Sequence, residues 1–562
     1  MIMRTLGYAD DLYHDTKGNL LQMTLGDLLD AQELRIGESE CLVNPSDGKR
    51  MTYKELAEES RVAAANLIRM GIRKGDYVGL CLKNCIQWIV VVFAAARIGV
   101  KLVVVNTKFG RCDLEEVFRF SDIKLLITGD SIGRNDVFGH VREICGNLDE
   151  QDPEELHVRK LPALKKILYL GETVPAGTIP YDELEKPVPV EKRNIVEQLQ
   201  RDLDCRDVVQ IQFTSGTTGE PKGVMVTHEA MLNTGKTAGY KRRLTTADRE
   251  CIPLPFCHCF AMAVGILGCI THGSAVIIID KVDAGRILSI LESEKCTSLL
   301  GVPVMFMNML AHPDFDKYDY STMRTGIVGG AACPLPVAEE ICDRLNMKEM
   351  VIGLGMTETA GLQTMTEPNQ PLKERIACVG VSLPHVENKI IDPETGEEVP
   401  YGTSGEMLTR GYNVMKGYLK QPELTAQVID KDGWLHTGDI CSRDEKGIFY
   451  LHGRLKDMIN KGGEKIYPKE VENYLYQIPE IKEAQLVGVE DEKYGEDGVA
   501  FVVLKKGQAI SEERIQDYLK KRIGRFKLPK KIYFIDEMPL TANGKIEKYK
   551  LREMAHEFQR QD

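Results

Sequence analysis

Ten consecutive positions, TSGTTGEPKG at 214–223, hold three glycines, four hydroxyl side chains and one lysine between apolar flanks. Glycine lets a backbone approach an anion closely and turn its N–H groups toward it. Thr214, Ser215, Thr217 and Thr218 add donors around Gly216 and Gly219, and Lys222 adds charge. This is chemistry for a polyphosphate. The loop follows the apolar run VVQIQF and precedes the helix-compatible THEAMLNTGK, which predicts a strand-to-helix junction at the ligand-binding edge of a parallel sheet. A Walker A loop is excluded, because Lys222 stands between proline and glycine rather than before Ser or Thr. For a generic cluster of this kind a solvated turn is the plain alternative.

Carboxylates at comparable places come next. Glu358 in GLGMTET follows another apolar run, EMVIGL, and a hard Mg²⁺ carried by phosphates takes such an oxygen ligand. An acidic residue favoured by a helix start is the alternative. Asp439 in HTGDI is an acceptor-only carboxylate after a turn glycine, of a kind that can take both hydroxyls of a ribose, with Arg454 as a second grip; for such Gly-Asp and Gly-Arg pairs a simple turn is the alternative. Cys251 with Cys257-His258-Cys259 raises a zinc site, but no second pair at metal-binding spacing follows.

TSGTTGEPKG resembles the signature of the adenylate-forming superfamily, which includes acyl-CoA synthetases, firefly-type luciferases and peptide-synthetase adenylation domains. The matching elements continue in order: LPFCHCF at 254–260, VGGAAC at 328–333, GLGMTET at 353–359, WLHTGD at 434–439, GRLKDMINKGGEKIYPKEVE at 453–472 and PLTANGKIEKYKLR at 539–552. The resemblance implies that Glu358 holds Mg²⁺, that Thr357 contacts phosphate, and that adenine meets Gly330, Ala331, Gly353, Leu354, Gly355 and Met356. Leu354 stands where the family usually has tyrosine, so an apolar face replaces aromatic stacking. The resemblance also implies that His258 lines an acyl pocket, that Lys545 reaches into the active site, and that Lys456 is a hinge. Gly462 and Gly463 then help line a pantetheine passage, although two glycines also make a simple turn.

On that footing the basic stretch LKKRIGRFKLPKK at 519–531, with seven cations and no acid, reads as a landing patch for coenzyme A phosphates at Lys520, Lys521 and Arg525. A solvated face is the alternative. The implied reaction uses ATP, Mg²⁺ and coenzyme A to convert a carboxylic acid to acyl-AMP and then to acyl-CoA. The wording of the later motifs is closest to medium- and long-chain fatty acyl-CoA synthetases. The competing readings are an aryl-CoA ligase, an acyl-AMP ligase that loads a carrier protein, a luciferase-like oxygenase, and a nucleotide-binding regulator that has lost catalysis.

The elements that must position these residues follow from periodicity. Apolar runs such as DYVGLCL, KLVVVN, IKLLIT, KKILYLG, AVIIID, TSLLGVP and TGIVGG alternate with amphipathic segments such as AGRILSILESEK, the pattern of parallel sheets covered by helices. After about residue 400 short strands and turns predict a β-rich subdomain. The fold class expected is α/β, with a large N-terminal domain over 1–454, a hinge at 455–458 and a small mobile α+β domain over 459–562. Phe260 to Ile279 reads as a buried helix followed by a strand, and IQWIVVVFAAARIGVKLVVV, which contains Arg97 and Lys101, as a core helix running into a strand. Neither reads as a membrane span. The 562 residues carry a formal charge of −12, which disfavours nucleic acid as partner, and fifteen cysteines without a paired framework. With no apolar signal segment at the start, these point to a cytoplasmic protein with reduced thiols.

Overall fold

The computed structural model of the chain describes residues 19–130, 135–214, 221–540 and 546–559. The β-branched runs read as strands form strands, and they divide between two large sheets. In an eight-stranded sheet, Val208–Thr214, Lys101–Val104, Tyr77–Cys81, Leu125–Gly129 and Lys166–Leu170 run parallel. In a nine-stranded sheet, Glu40–Asn44, Ala275–Ile278, Arg249–Ile252, Ser298–Gly301, Thr325–Val328 and Val351–Leu354 run parallel. Antiparallel strands close both edges of the larger sheet and one edge of the smaller.

The sheets share one core. Leu42, Ile252 and Val276 of one belong to the same buried cluster as Leu80, Val104 and Val224 of the other, together with the helix Ile86–Arg97. Eleven of that helix's twelve residues are buried, Arg97 included. The Arg97 guanidinium donates to Ser60 Oγ at 2.9 Å, Gln200 Oε1 at 2.7 Å and Asp30 Oδ1 at 2.8 Å, so its charge is fully partnered. No helix among the described residues is long and apolar enough to cross a membrane. The segment from Phe260 opens as a π-helix to Ile266, continues as Leu267–His272 and reverses at Gly273 (φ +81°) into the strand Ala275–Ile278. Helix His228–Lys241 packs so tightly against it that a Cβ on Gly235 would sit 2.7 Å from the Ala263 carbonyl oxygen.

Beyond these sheets, Val386–Ile391, Gly405–Gly411, Leu435–Arg443 and Phe449–Arg454 form an antiparallel four-stranded sheet, the β-rich subdomain. A single turn, Leu455–Asp457, leads to a further sheet in which Gly495–Leu504 pairs antiparallel with Ile481–Asp491 and parallel with Lys531–Phe534. Helices Pro468–Leu475 and Glu512–Lys520 cover it. One expectation is corrected. The phosphate-type loop does not join strand to helix: Lys222–Thr227 is itself a strand, antiparallel to Val208–Thr214, and the helix starts only at His228. The β-branched alternation of GVMVT extends the sheet first, so the two strands that flank the loop pair as a hairpin and the helix begins only after the second of them.

Candidate active site

At the hairpin, Thr214 and Lys222 face each other in register across the last described pair of residues. Ser215, Gly216, Thr217, Thr218 and Gly219 lie outside the described residues. The strand carrying Lys222 pairs on its other side with Gly417–Tyr418, Tyr418 opposite Val224. Lys222 Nζ lies 5.7 Å from the centroid of the Tyr418 ring, within cation–π range.

Glu358 sits in a one-turn 3₁₀ helix, Thr357–Thr359, directly after the strand Val351–Leu354. The turn is tight: Met356 N–H donates to Thr359 Oγ1 at 3.0 Å, and the chain reverses through Ala360 (φ +50°) and Gly361 (φ +100°). A Cβ on Gly355 would lie 2.1 Å from the Gly361 carbonyl oxygen, so glycine is required by the close backbone approach. The Tyr418 phenol donates to Glu358 Oε1 at 2.9 Å, and Met415 N–H donates to the Glu358 carbonyl at 2.8 Å. Burial first, and then the Glu358 charge, push the Tyr418 phenol well above its ordinary pKa, so it stays a donor.

Asp439 is brought to Arg454 by the antiparallel pairing of Leu435–Arg443 with Phe449–Arg454, where the two residues are in register. Arg454 Nε meets Asp439 Oδ1 at 2.7 Å, and the Asp439 side chain is only 2% exposed. Gly438 (φ +67°) lies within the strand Leu435–Arg443 where its pairing with Gly405–Gly411 shifts register, and not in a turn between strands. Gly330 (φ +78°) and Ala331 follow the strand Thr325–Val328, both exposed. Gly353 and Leu354 end the neighbouring strand, and Met356 is partly buried against the main core. Leu354, at 9% exposure, packs with Val379, Ile390, Met407, Cys441 and Phe449 in the subdomain core, so most of its apolar surface is taken up there and not left for a base.

His258 precedes the π-helix, its N–H bonded to the Pro255 carbonyl at 3.1 Å. Gln212, two residues before the hairpin pair, accepts the Cys259 N–H at 3.1 Å and so fastens this segment to the strand that carries Thr214. Burial pushes the Cys257 thiol up to about 12, which keeps it protonated at neutral pH. All fifteen cysteines are free thiols.

In the C-terminal unit Lys456 is exposed within the turn Leu455–Asp457, and Arg552 Nη2 holds Asp457 at 2.9 Å. Gly462 (φ +61°) and Gly463 (φ +96°) are the two tip residues between the strands Ile459–Lys461 and Glu464–Ile466, a tight hairpin that needs positive φ at both positions. The basic stretch is less positive than it reads. Lys520 pairs with Asp517 at 3.0 Å, Lys527 with Glu470 at 2.6 Å and Lys530 with Asp491 at 2.7 Å, while Lys521 and Arg525 are exposed. Lys545 lies outside the described residues.

The structure therefore brings Lys222 and Glu358 together through Tyr418, and Asp439 together with Arg454. Tyr418 was missed because it stands 60 residues after Glu358; its only signal was the strand-like GYL in GYNVMKGYL. A cation, a buried carboxylate and a second buried carboxylate paired to arginine suit a ligand that carries both phosphates and hydroxyls.

Residues 29–419 match the AMP-binding enzyme family, and residues 470–545 the AMP-binding enzyme C-terminal domain. The putative acyl-CoA synthetase YngI of Bacillus subtilis (strain 168) is 41% identical over 539 residues, spanning 96% of this chain and 98% of that protein. The mitochondrial medium-chain acyl-CoA ligase ACSF2 of Rattus norvegicus is 36% identical over 546 residues, spanning 96% and 88%. Among solved structures, ATP-bound MatB from Rhodopseudomonas palustris aligns at a TM-score of 0.78 and 25% identity, covering 95% of this chain and 99% of that one.

Proposed function

We propose, from the premise that this chain belongs to the AMP-binding enzyme family, that it is an AMP-forming carboxylate–CoA ligase acting on a medium- or long-chain aliphatic acid. The observation that supports this most is the joining of Lys222 to Glu358 through Tyr418, a cation and an oxygen ligand held at the mouth of one hairpin. Relatives named as an acyl-CoA synthetase and a medium-chain acyl-CoA ligase support the aliphatic substrate.

In the first step a carboxylate oxygen of the acid attacks the α-phosphorus of ATP, the bond to the bridging β-phosphate oxygen breaks, and pyrophosphate leaves. Lys222 and the hairpin residues 214–219 hold the β- and γ-phosphates that depart, and Asp439 with Arg454 grips the ribose. Lys545 offsets the charge that develops at the α-phosphate. Glu358 would hold a Mg²⁺ ion, and Thr357 would contact phosphate. The fit is sound, since Glu358 is a hard oxygen donor whose Oε1 is fixed by Tyr418 while Oε2 makes no hydrogen bond among the described residues. When bound, Mg²⁺ neutralises phosphate charge and lets pyrophosphate leave.

In the second step the coenzyme A sulfur attacks the acyl carbonyl carbon and AMP leaves, after the C-terminal unit turns about Lys456 and presents Gly462 and Gly463. His258, beside the π-helix, borders the acyl chain. Free thiols at every cysteine support a reducing compartment such as the cytoplasm.

A panel of acids from acetate to palmitate, with benzoate, scored by AMP release with and without coenzyme A, tests this reading. CoA-dependent turnover peaking among the medium and long aliphatic acids is expected. A peak at benzoate would move the substrate to aryl acids. Acyl-adenylate that accumulates with no CoA-dependent turnover would replace coenzyme A by a carrier protein.

A further inference from the structure

The Tyr418 side chain touches both halves of the phosphate site. Its hydroxyl donates to Glu358 Oε1 at 2.9 Å, and its ring lies 5.7 Å from Lys222 Nζ. Its backbone belongs to the strand Gly417–Tyr418, which pairs with Val224 and Met225 on the strand that begins at Lys222. Three residues earlier the same segment donates Met415 N–H to the Glu358 carbonyl at 2.8 Å. Side chain and main chain of this one segment therefore locate Glu358 relative to the hairpin. Glu358 and Tyr418 are 7% and 6% exposed, so the hydrogen bond runs where water competes little.

We propose that Tyr418 is a positioning residue: it fixes the Glu358 carboxylate so that Oε2 faces the metal-bearing phosphates, and it couples that carboxylate to the lysine of the hairpin. A donor on one carboxylate oxygen sets the rotation of the group and leaves the other oxygen as the ligand, the arrangement by which outer partners tune metal sites. The Lys222 ammonium over the ring gives that phosphate-side charge a resting place beside Glu358. The proposal rests on the reading of Glu358 as the metal ligand.

The test uses the full chain and calorimetric binding of two probes, ATP with Mn²⁺ and ATP in EDTA. Tyr418→Phe keeps the ring and loses the donor, so it is expected to weaken Mn²⁺·ATP binding by on the order of tenfold and to leave metal-free ATP binding unchanged. Glu358→Gln is expected to weaken Mn²⁺·ATP at least as much, and adding Tyr418→Phe to it to change nothing further. Parent-like Mn²⁺·ATP binding in Tyr418→Phe, with Glu358→Gln impaired, would overturn the proposal and leave the reading of Glu358 intact. Parent-like binding in Glu358→Gln would overturn that reading. Equal loss for both probes in Tyr418→Phe would make the residue structural and also overturn the proposal. If Tyr418→Phe does not fold at the assay temperature, Tyr418→Gln supplies a donor without the ring; it is expected to retain metal-dependent tightening, and loss of that tightening would contradict the proposal.

Discussion

His228 opens the helix that follows the phosphate hairpin, and it is 1% exposed. Its Nδ1 accepts the Leu25 N–H at 3.1 Å. Burial lowers its pKa to about 4, against a slight upward pull from Asp207 and Asp204, whereas in the unfolded chain it titrates near its ordinary value. Between those two values the unfolded chain binds a proton that the folded chain refuses, so stability is complete above about pH 6.5 and falls on acidification toward pH 4. The contribution lost by pH 4.5 is about 2–3 kcal/mol. Urea melts at pH 7 and pH 4.5 should show it, and His228→Asn, which keeps an acceptor but cannot titrate, should show that much less acid destabilisation; an equal pH dependence in both proteins would refute the assignment. At this scale the sequence was only half informative. Glu358, Asp439 and Lys222 carry chemistry in their types, but His228 and Tyr418 matter through burial and through partners 203 and 60 residues away.

Elements decide what a charge run is worth. LKKRIGRFKLPKK contains no acid, yet Asp517 lies one helical turn before Lys520, and Glu470 and Asp491 arrive from another helix and strand to neutralise Lys527 and Lys530. Exposed pairs of this kind add little stability, but they consume local charge. Lys521, at the C-cap of Glu512–Lys520, and Arg525, in the following 3₁₀ turn, stand exposed with no acidic partner among the described residues. The double substitution Lys521→Glu with Arg525→Glu should therefore raise the KM for coenzyme A on the order of tenfold and spare the KM for ATP, with Lys520→Glu the weaker change. An unchanged KM for coenzyme A would make the stretch a solvated face. The helix Ile86–Arg97 teaches the same lesson from inside: its apolar run was legible as core, but the partners that let Arg97 sit there, Asp30, Ser60 and Gln200, come from three other helices. The hairpin was misread because KGVMVT, which extends the sheet, stands before the helix signal at His228.

Over the whole molecule, the architecture was legible because parallel strands buried on both faces must be continuously apolar. The sharing of one core between two sheets was not, since no local pattern tells which strands of similar composition pair. That shared core holds the hairpin strand, the Gln212-anchored His258 segment and the Glu358 turn as parts of one body. The turn Leu455–Asp457 then joins this body to the C-terminal unit through a short stretch whose Asp457 is held by Arg552. A protein so built is expected to make an enzyme-bound acyl-adenylate before any thiol is required. The measurement that tests this most directly is exchange of labelled pyrophosphate into ATP, with and without a fatty acid and in the absence of coenzyme A. Exchange is expected to depend on the acid and to drop by two or more orders of magnitude in Glu358→Gln. ATP binding with no acid-dependent exchange, across the same panel of acids, would contradict it.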